Sequence, residues 1–371
     1  MSKTSKIIGG IIAIVVIVLV IISLASTKAP AQPTAKETIK IGFVLPLSGG
    51  ASYLGEGMKR AAELALKDVK AMDTKYNYEV LFEDDAFTPA KTATALNKLI
   101  NIDKVEVVST VASAAGGVAN PIAEKSKIVH ISTASDPAIA KGEFNFTNWT
   151  PPVEEVKVFI AEAQKRGIKK ISIFGQTISG ITAVFDELKR QLPGTGITVV
   201  SEDISNFGNK DFRTAIQKAK ASGSDYFVIC MFSPELEVLN AQIKELGIKT
   251  PITAIESFEL SDTPAIFEGL WYVNAADPTK AFSDQYFAEY GKPVSIGTPN
   301  AYDITKMVVQ AAETFDGKTK PTTTQLAHAI AEIRDYDGAL GENIAIGPDH
   351  VVITKAVLRM IKDGKPMTLP Q

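Results

Sequence analysis

Two loops and one acid concentrate the chemistry of this 371-residue chain. Glu106-Val-Val-Ser109 is a β-branched run that reads as a strand, and Ser113-Ala-Ala-Gly-Gly117 follows it as a loop of small residues. Val118 to Lys127 has helical spacing. Ile128-Val-His-Ile131 reads as a second strand and runs into Ser132-Thr-Ala-Ser-Asp136. Two neighbouring parallel strands then end in small, hydroxyl-bearing loops, and ligands of open α/β sheets bind beyond the carboxyl ends of strands. Free N–H groups at the start of the Gly116 helix attract an anion, a carboxylate first. The same small residues also suit any tight βα turn. The acid is Glu256, directly after the apolar strand Pro251-Ile-Thr-Ala-Ile255. There it either pairs with a ligand ammonium from across the same cleft or caps a surface turn.

Little else in the chain has the spacing of a reactive centre. His130, His328 and His350 are far apart, none in a metal-binding spacing, and His130 sits in a strand, as a core residue would. Gly175 to Gly180 (GQTISG) has phosphate-loop glycines without the Lys-Ser/Thr pair. No Gly-x-Ser-x-Gly nucleophile elbow is present. Glu83-Asp84-Asp85, at a strand end, reads as turn caps rather than as a metal or acid/base cluster. The sequons at Asn145 and Asn148 fall in a connecting strand and carry no weight. The expectation is a binder without cofactor or metal rather than an α/β enzyme.

The elements that would position these residues alternate. Strands are expected at Ile39–Leu45, Tyr78–Phe82 and Phe144–Trp149 around the central stretch, with helices at Tyr53–Lys70 and from Thr88-Pro89 to Ile100. After Pro151-Pro152 the pattern restarts. Helices at Val153–Arg166, Ser179–Leu192, Lys210–Ala221 and Pro234–Leu246 interleave with strands at Lys170–Phe174, Ile197–Glu202, Asp225–Met231 and Pro251–Ile255. Such alternation implies parallel sheets with helices on both faces. The last third adds a strand at Leu270–Asn274, three helices, and a hairpin of Asn343–Ile346 with Val351–Met360.

Composition is that of a globular protein, 45% apolar and 22% charged. The N-terminus differs. Lys3 and Lys6 precede Ile7 to Leu24, 18 uncharged residues, a membrane-span candidate with a small-x-small cleavage site at Ser23-Leu-Ala25. An uncleaved anchor (residues 1–25) and a signal peptide both export the rest of the chain. Residues 26–37 read as a tether. The net charge is −3, and −5 without Lys3 and Lys6, which argues against a nucleic-acid partner. The single cysteine, Cys230, lies in an apolar strand and has no partner for an internal disulfide.

Ile39 to Leu66 (IKIGFVLPLSGGASYLGEGMKRAAELAL), Glu83 to Ile100 and Val107 to Pro137 together resemble the type I periplasmic binding proteins, specifically the branched-chain amino acid receptors of ABC importers. The resemblance covers about Ile39 to Lys365. It implies two Rossmann-like lobes with parallel central sheets, joined by a three-strand hinge. Lobe one would be 38–150 and 278–335, lobe two 151–277 and 336–371. The hinge would lie near Asn148–Pro152, Ala275–Pro278 and Tyr336–Leu340.

By the same resemblance Ser113 holds a ligand carboxylate, helped by Ala134 and Ser135, with Asp136 the alternative to Ser135 across a one-residue gap. Glu256 holds the ammonium, and Phe232 forms a wall. Ser179 stands where many members carry an aromatic before Gly, and Leu54 stands at a wall position that is often aromatic. The implied function is a non-enzymatic, monomeric receptor for an apolar amino acid. It would lie outside the cytoplasm, tied to the membrane by its N-terminal segment, and serve a membrane permease. A related small ligand such as an amide or urea, or a sensory role, is the alternative.

Overall fold

The computed structural model describes residues 36–261 and 263–370. The chain divides into Met1–Glu37 and a compact body from Thr38 onward. Of the former, only Lys36 and Glu37 are described, both exposed. The apolar run Ile7–Leu24 lies outside the described residues, and among those described no helix is long and apolar enough to cross a membrane.

The first sheet contains β1 (Thr38–Leu45), β2 (Asn77–Asp84), β3 (Val107–Val111), β4 (Val129–Thr133) and β5 (Asn145–Thr147). Its order is β2-β1-β3-β4-β5, with every pair parallel. Three helices connect these strands: α1 (Ser52–Lys70), α2 (Pro89–Lys98) and α3 (Ser113–Ser126). Strands buried on both faces are near-continuous in apolar residues, as β1 and β3 are. In α1 the buried Leu54, Met58, Ala61, Leu64 and Ala65 recur at helical spacing and form one packed stripe.

The second sheet runs β15-β14-β10-β9-β8-β6-β7. Its parallel strands are β6 (Lys170–Gln176), β7 (Thr198–Ser205), β8 (Tyr226–Cys230), β9 (Ile252–Ile255) and β10 (Trp271–Ala275). The helices are α4 (Pro152–Lys165), α5 (Ser179–Gln191), α6 (Arg213–Ala221) and α7 (Glu235–Glu245). Helix α6 begins three residues later than its pattern suggests, because Gln242 bonds the Lys210 carbonyl and the Phe212 N–H and holds that stretch out of the helix.

The last third comprises α8 (Lys280–Tyr290), α9 (Thr298–Ala312), α10 (Thr323–Ala331), β11 (Tyr336–Gly338), β12 (Gly341–Ile346), β13 (Val352–Ile353), β14 (Ala356–Lys362) and β15 (Lys365–Thr368). Strands β14 and β15 add to the second sheet antiparallel, so that sheet is not wholly parallel. The expected strand Val351–Met360 is two strands. Val352–Ile353 pairs with β12, the chain crosses at Thr354–Lys355, and β14 pairs with β10.

Both sheets are covered on both faces. On the first, α1, α9 and α10 pack on one side and α2 with α3 on the other. On the second, α4 and α5 oppose α6 and α7. Tyr336, Ala339, Ile344, Ile346 and Val352 are buried in the first lobe's core. Residues 336–353 therefore pack with the first lobe, whereas the resemblance implies that 336–371 belong to the second. The third crossing lies at Thr354–Lys355 rather than near Tyr336–Leu340. The three crossings touch: Thr150 Oγ1 is 2.9 Å from Thr354 Oγ1, and the Ala276 N–H donates to the Lys355 carbonyl at 2.9 Å.

Asp303 of α9 secures this late segment. Its carboxylate accepts from Tyr336 Oη at 2.8 Å, Ala339 N at 2.6 Å and Leu340 N at 2.8 Å. Burial pushes this carboxyl up to about 6. An Asp303→Ala change orphans the buried Ala339 N–H and the part-buried Leu340 N–H, and a buried unsatisfied group costs about 1–3 kcal/mol. Urea denaturation of the variant should show a loss of at least about 1 kcal/mol; an unchanged midpoint would refute the anchoring role.

Candidate functional site

In each sheet the strand order reverses about the first strand of the lobe, which places a crevice at the carboxyl ends of β1 and β3 and another at those of β6 and β8. These two switch points enclose a shared cavity of about 90 Å³. The first lobe lines it with Leu54, Phe87, Val111 to Ala114, Thr133 to Ser135, Ile296 and Gly297. The second lobe contributes Ile178, Gly180, Ile181, Phe232, Glu256, Leu260 and Asn274, and Trp149 enters from the first crossing. A water needs about 10–15 Å³ of such space. The cavity thus exceeds the space for one water several-fold, which suits a small molecule.

The walls are apolar and the polar groups gather at two places. On the first lobe, β3 turns straight into α3 at Ala112, which takes φ 69°. The helix starts at Ser113, not at Val118 as the spacing suggests. Small residues permit this corner: a Cβ on Gly116 would lie 2.6 Å from Ser132 Oγ on the next strand. Ser113 is buried in the helix's first turn, where backbone N–H groups have no intrahelical acceptor. The Ala134–Ser135 loop stands beside it. This end presents donors to an anion.

On the second lobe the polar group is Glu256. It is only 7% exposed and sits just after β9 at φ 64°, an uncommon conformation for a residue with a side chain. Its Oε1 accepts from Ser135 Oγ of the first lobe at 2.7 Å and from Trp149 Nε1 at 2.7 Å. Burial pushes the carboxyl above its ordinary range, and these two donors pull it back. Behind it lies Glu155, fully buried in the first turn of α4. Burial and the Glu256 charge hold Glu155 well above the usual carboxylate range.

Of the residues expected from the sequence, Ser113, Ala134, Ser135, Glu256, Phe232 and Leu54 line the cavity together. Ser135 is expected at the carboxylate end, but its hydroxyl reaches Glu256. Asp136 does not line the cavity; its carboxylate caps the turn Pro137–Ala140 by accepting from Ala138 N at 2.9 Å. Ser179 is exposed on the first turn of α5, and the neighbouring Ile178 and Gly180 face the cavity instead. Asp84 and Asp85 are caps, as expected. Asp84 accepts from Leu47 N, Ser48 and Ala86 N, and the bond from Ser48 Oγ lowers its carboxyl. Asp85 accepts from Phe87 N and Thr92 Oγ1. His130 is buried between Thr110 and Asn145, and burial pushes it down to about 4, so it is neutral at pH 7.

Sequence reasoning missed Trp149, Phe87 and Glu155. Trp149 reads as the end of a connecting strand, and its indole N–H becomes significant only when the hinge brings it to Glu256. Ala86 and Phe87 both take positive φ, at 46° and 59°, and are held there by the two aspartates. The Asp-Asp before Phe87 was a legible signal for a strained turn, though not for what the turn presents.

The comparisons with known proteins agree with this architecture. The model of a family described as periplasmic binding protein matches residues 38–366. A Leu/Ile/Val-binding protein homolog of Brucella melitensis is 27% identical over 320 residues, covering 82% of this chain and 86% of the relative. The branched-chain amino acid transporter substrate binding protein of Streptococcus pneumoniae, solved with isoleucine, has a similar fold. Its TM-score is 0.77 at 22% identity, with 90% of this chain and 98% of that chain covered. A solute binding protein of R. palustris solved with benzoate has a TM-score of 0.77 at 19% identity, with 90% and 95% covered.

Gly180 controls how closely the lobes approach. A Cβ there would lie 2.5 Å from Ser113 Oγ and 3.4 Å from Ser135 Cβ, both on the opposite lobe. A Gly180→Val chain should have a larger radius of gyration by solution scattering, with little change in its unfolding midpoint. A radius equal to that of the wild type would show that the lobes accommodate the added bulk.

Proposed function

We propose that this chain, which belongs to the periplasmic binding protein family, captures an apolar α-amino acid between its lobes and presents it to an ABC permease outside the cytoplasm. One observation carries the reading: a single small apolar cleft has unlike polar ends on opposite lobes. The first-lobe end offers the Ser113 hydroxyl and first-turn N–H groups, which suit a carboxylate. The second-lobe end offers a buried carboxylate, which suits an ammonium. Leu54, Phe87, Ile178, Phe232 and Ile296 leave only apolar surface for the side chain. The name of the Brucella relative, a Leu/Ile/Val-binding protein homolog, supports the same ligand class.

The mechanism is cleft closure. A ligand that touches both lobes favours the state in which they meet, and only such differential contact shifts the balance. The chain acts by binding rather than by turnover, as a monomer. Its apolar N-terminal run would hold it at the membrane or be removed on export; mass spectrometry of the mature protein distinguishes these fates.

A second reading is an aromatic acid. The R. palustris neighbour was solved with benzoate, and Phe87, Trp149 and Phe232 give this cleft aromatic walls. Against it stands Glu256, which has no use for an acid lacking an ammonium group.

A thermal-shift panel of the twenty amino acids, urea, simple amides and benzoate separates the readings. A ligand at one hundred times its Kd adds about 2.7 kcal/mol of stability. Leu, Ile or Val should raise the midpoint and benzoate should not; the reverse pattern would replace the amino acid by an aromatic acid. Removing one partner of a buried charged pair costs about 2–5 kcal/mol. Glu256→Ala should therefore weaken amino acid binding by roughly thirtyfold or more. An unchanged affinity by calorimetry would remove Glu256 from the ammonium role.

A further inference from the structure

Glu155 is the buried acid that the proposed binding scheme leaves unused. It has no exposed surface, and neither carboxyl oxygen accepts a hydrogen bond among the described residues. Burial raises its carboxyl first, and the charge of Glu256 raises it further. A buried carboxyl with no donor and no cation cannot stay ionised cheaply, least of all against a second carboxylate. The cations on and around its helix are committed elsewhere. Lys157 pairs with Glu154 and Arg166 with Glu162. Arg359, on the neighbouring β14, pairs with Glu259 and Asp277. Cys230, on β8, also faces the pair, and burial together with the two carboxyls keeps its thiol neutral.

The two acids are not equivalent. Glu256 receives Ser135 and Trp149 and lines the cavity, while Glu155 receives nothing and stands behind it. A single proton between them belongs on Glu155. We propose that Glu155 is the positioning residue of this subsite: it keeps its proton, donates it to Glu256 in a hydrogen bond, and so fixes at one the negative charge that meets a ligand ammonium. The inference rests on the amino acid reading for its last clause. Its logic is charge matching. Two ionised carboxylates facing one ammonium would leave a buried excess charge, whereas one protonated and one ionised carboxyl leave none. The donated hydrogen also gives Glu256 a third donor and limits the directions in which its free lone pairs can face.

Two measurements on the full chain test this. Infrared spectra at pH 7 should show the carbonyl band of a buried protonated carboxyl in the wild type, and Glu155→Gln should lose it. Leucine titrations should give Glu155→Gln, which keeps a donor and no charge, an affinity within about threefold of wild type. Glu155→Leu, which removes the donor, should lose about tenfold or more, as for a hydrogen bond to a charged group. The inference is overturned if the wild type binds leucine without showing the band. It is equally overturned if Glu155→Leu binds as tightly as wild type, or if Glu155→Gln falls as far as Glu155→Leu. If no amino acid in the panel binds, the functional reading fails with it, and the band then reports only a proton trapped in the core.

Discussion

A carboxylate taken out of water must be met by donors, by a cation or by a proton, and much of this structure is arranged around one such group. Glu256 draws a hydroxyl from the first lobe, an indole N–H from the hinge crossing and a neighbouring acid from α4. It reaches that position through a strained φ of 64° immediately after a fully buried strand, where its own N–H is already used by the Val273 carbonyl at 2.8 Å. One side chain thus links both lobes and the joint between them. Strain of this kind costs of order 1–3 kcal/mol and persists only where the surroundings over-determine it. Here β8, β9 and β10, packed between two layers of helices, supply that support.

Strain recurs around the same cavity. Ala86, Phe87 and Ala112 also take positive φ, and each marks the place where a first-lobe strand gives way to a residue near or within the cleft. Regular βα turns would have carried the chain past the cleft. Bending it back presents Phe87 as a wall and brings the first turn of α3 up to the cavity. The cores beneath are ordinary apolar packing, which is what allows the rim to be irregular.

The extent to which the site was legible in the sequence depends on the range of the interactions. The strand–helix alternation, the small-residue loops and the acid at the end of β9 are local patterns, and each sits on the cleft. The capping roles of Asp84 and Asp85 were also legible, because an acid at a strand end finds its partners within a few residues. Apart from Phe87, whose turn is set by its own aspartates, what escaped in the site depends on contacts across more than a hundred residues of chain. Ser135 and Glu256 are 121 residues apart, and nothing in either segment announces the pairing. Trp149 and Glu155 flank the Pro-Pro restart and look like a boundary, until the hinge folds them onto β9. The late boundary near residue 354 was misplaced for the same reason. Val351 to Met360 is a continuous β-forming run by propensity, and only the partner strands decide where it changes sheets.

Two first-lobe loops approach one point of the second lobe. Ser113 and Ser135 both approach Gly180, so the loop that faces a carboxylate and the loop that touches Glu256 meet the same point of the second lobe. An α-amino acid places its carboxylate and ammonium on one carbon, and a pocket that grips both must bring its donor and its acceptor to nearly one place. On the amino acid reading proposed above, this crowding suits such a headgroup, and Leu54, Phe87 and Ile296 are among the apolar walls left for its side chain. Ser135 is on the first lobe and Glu256 on the second, so their hydrogen bond ties the lobes together at the cleft itself. On that reading the polar cluster would select the headgroup, and the apolar walls, which make no hydrogen bond to it, would select the side chain.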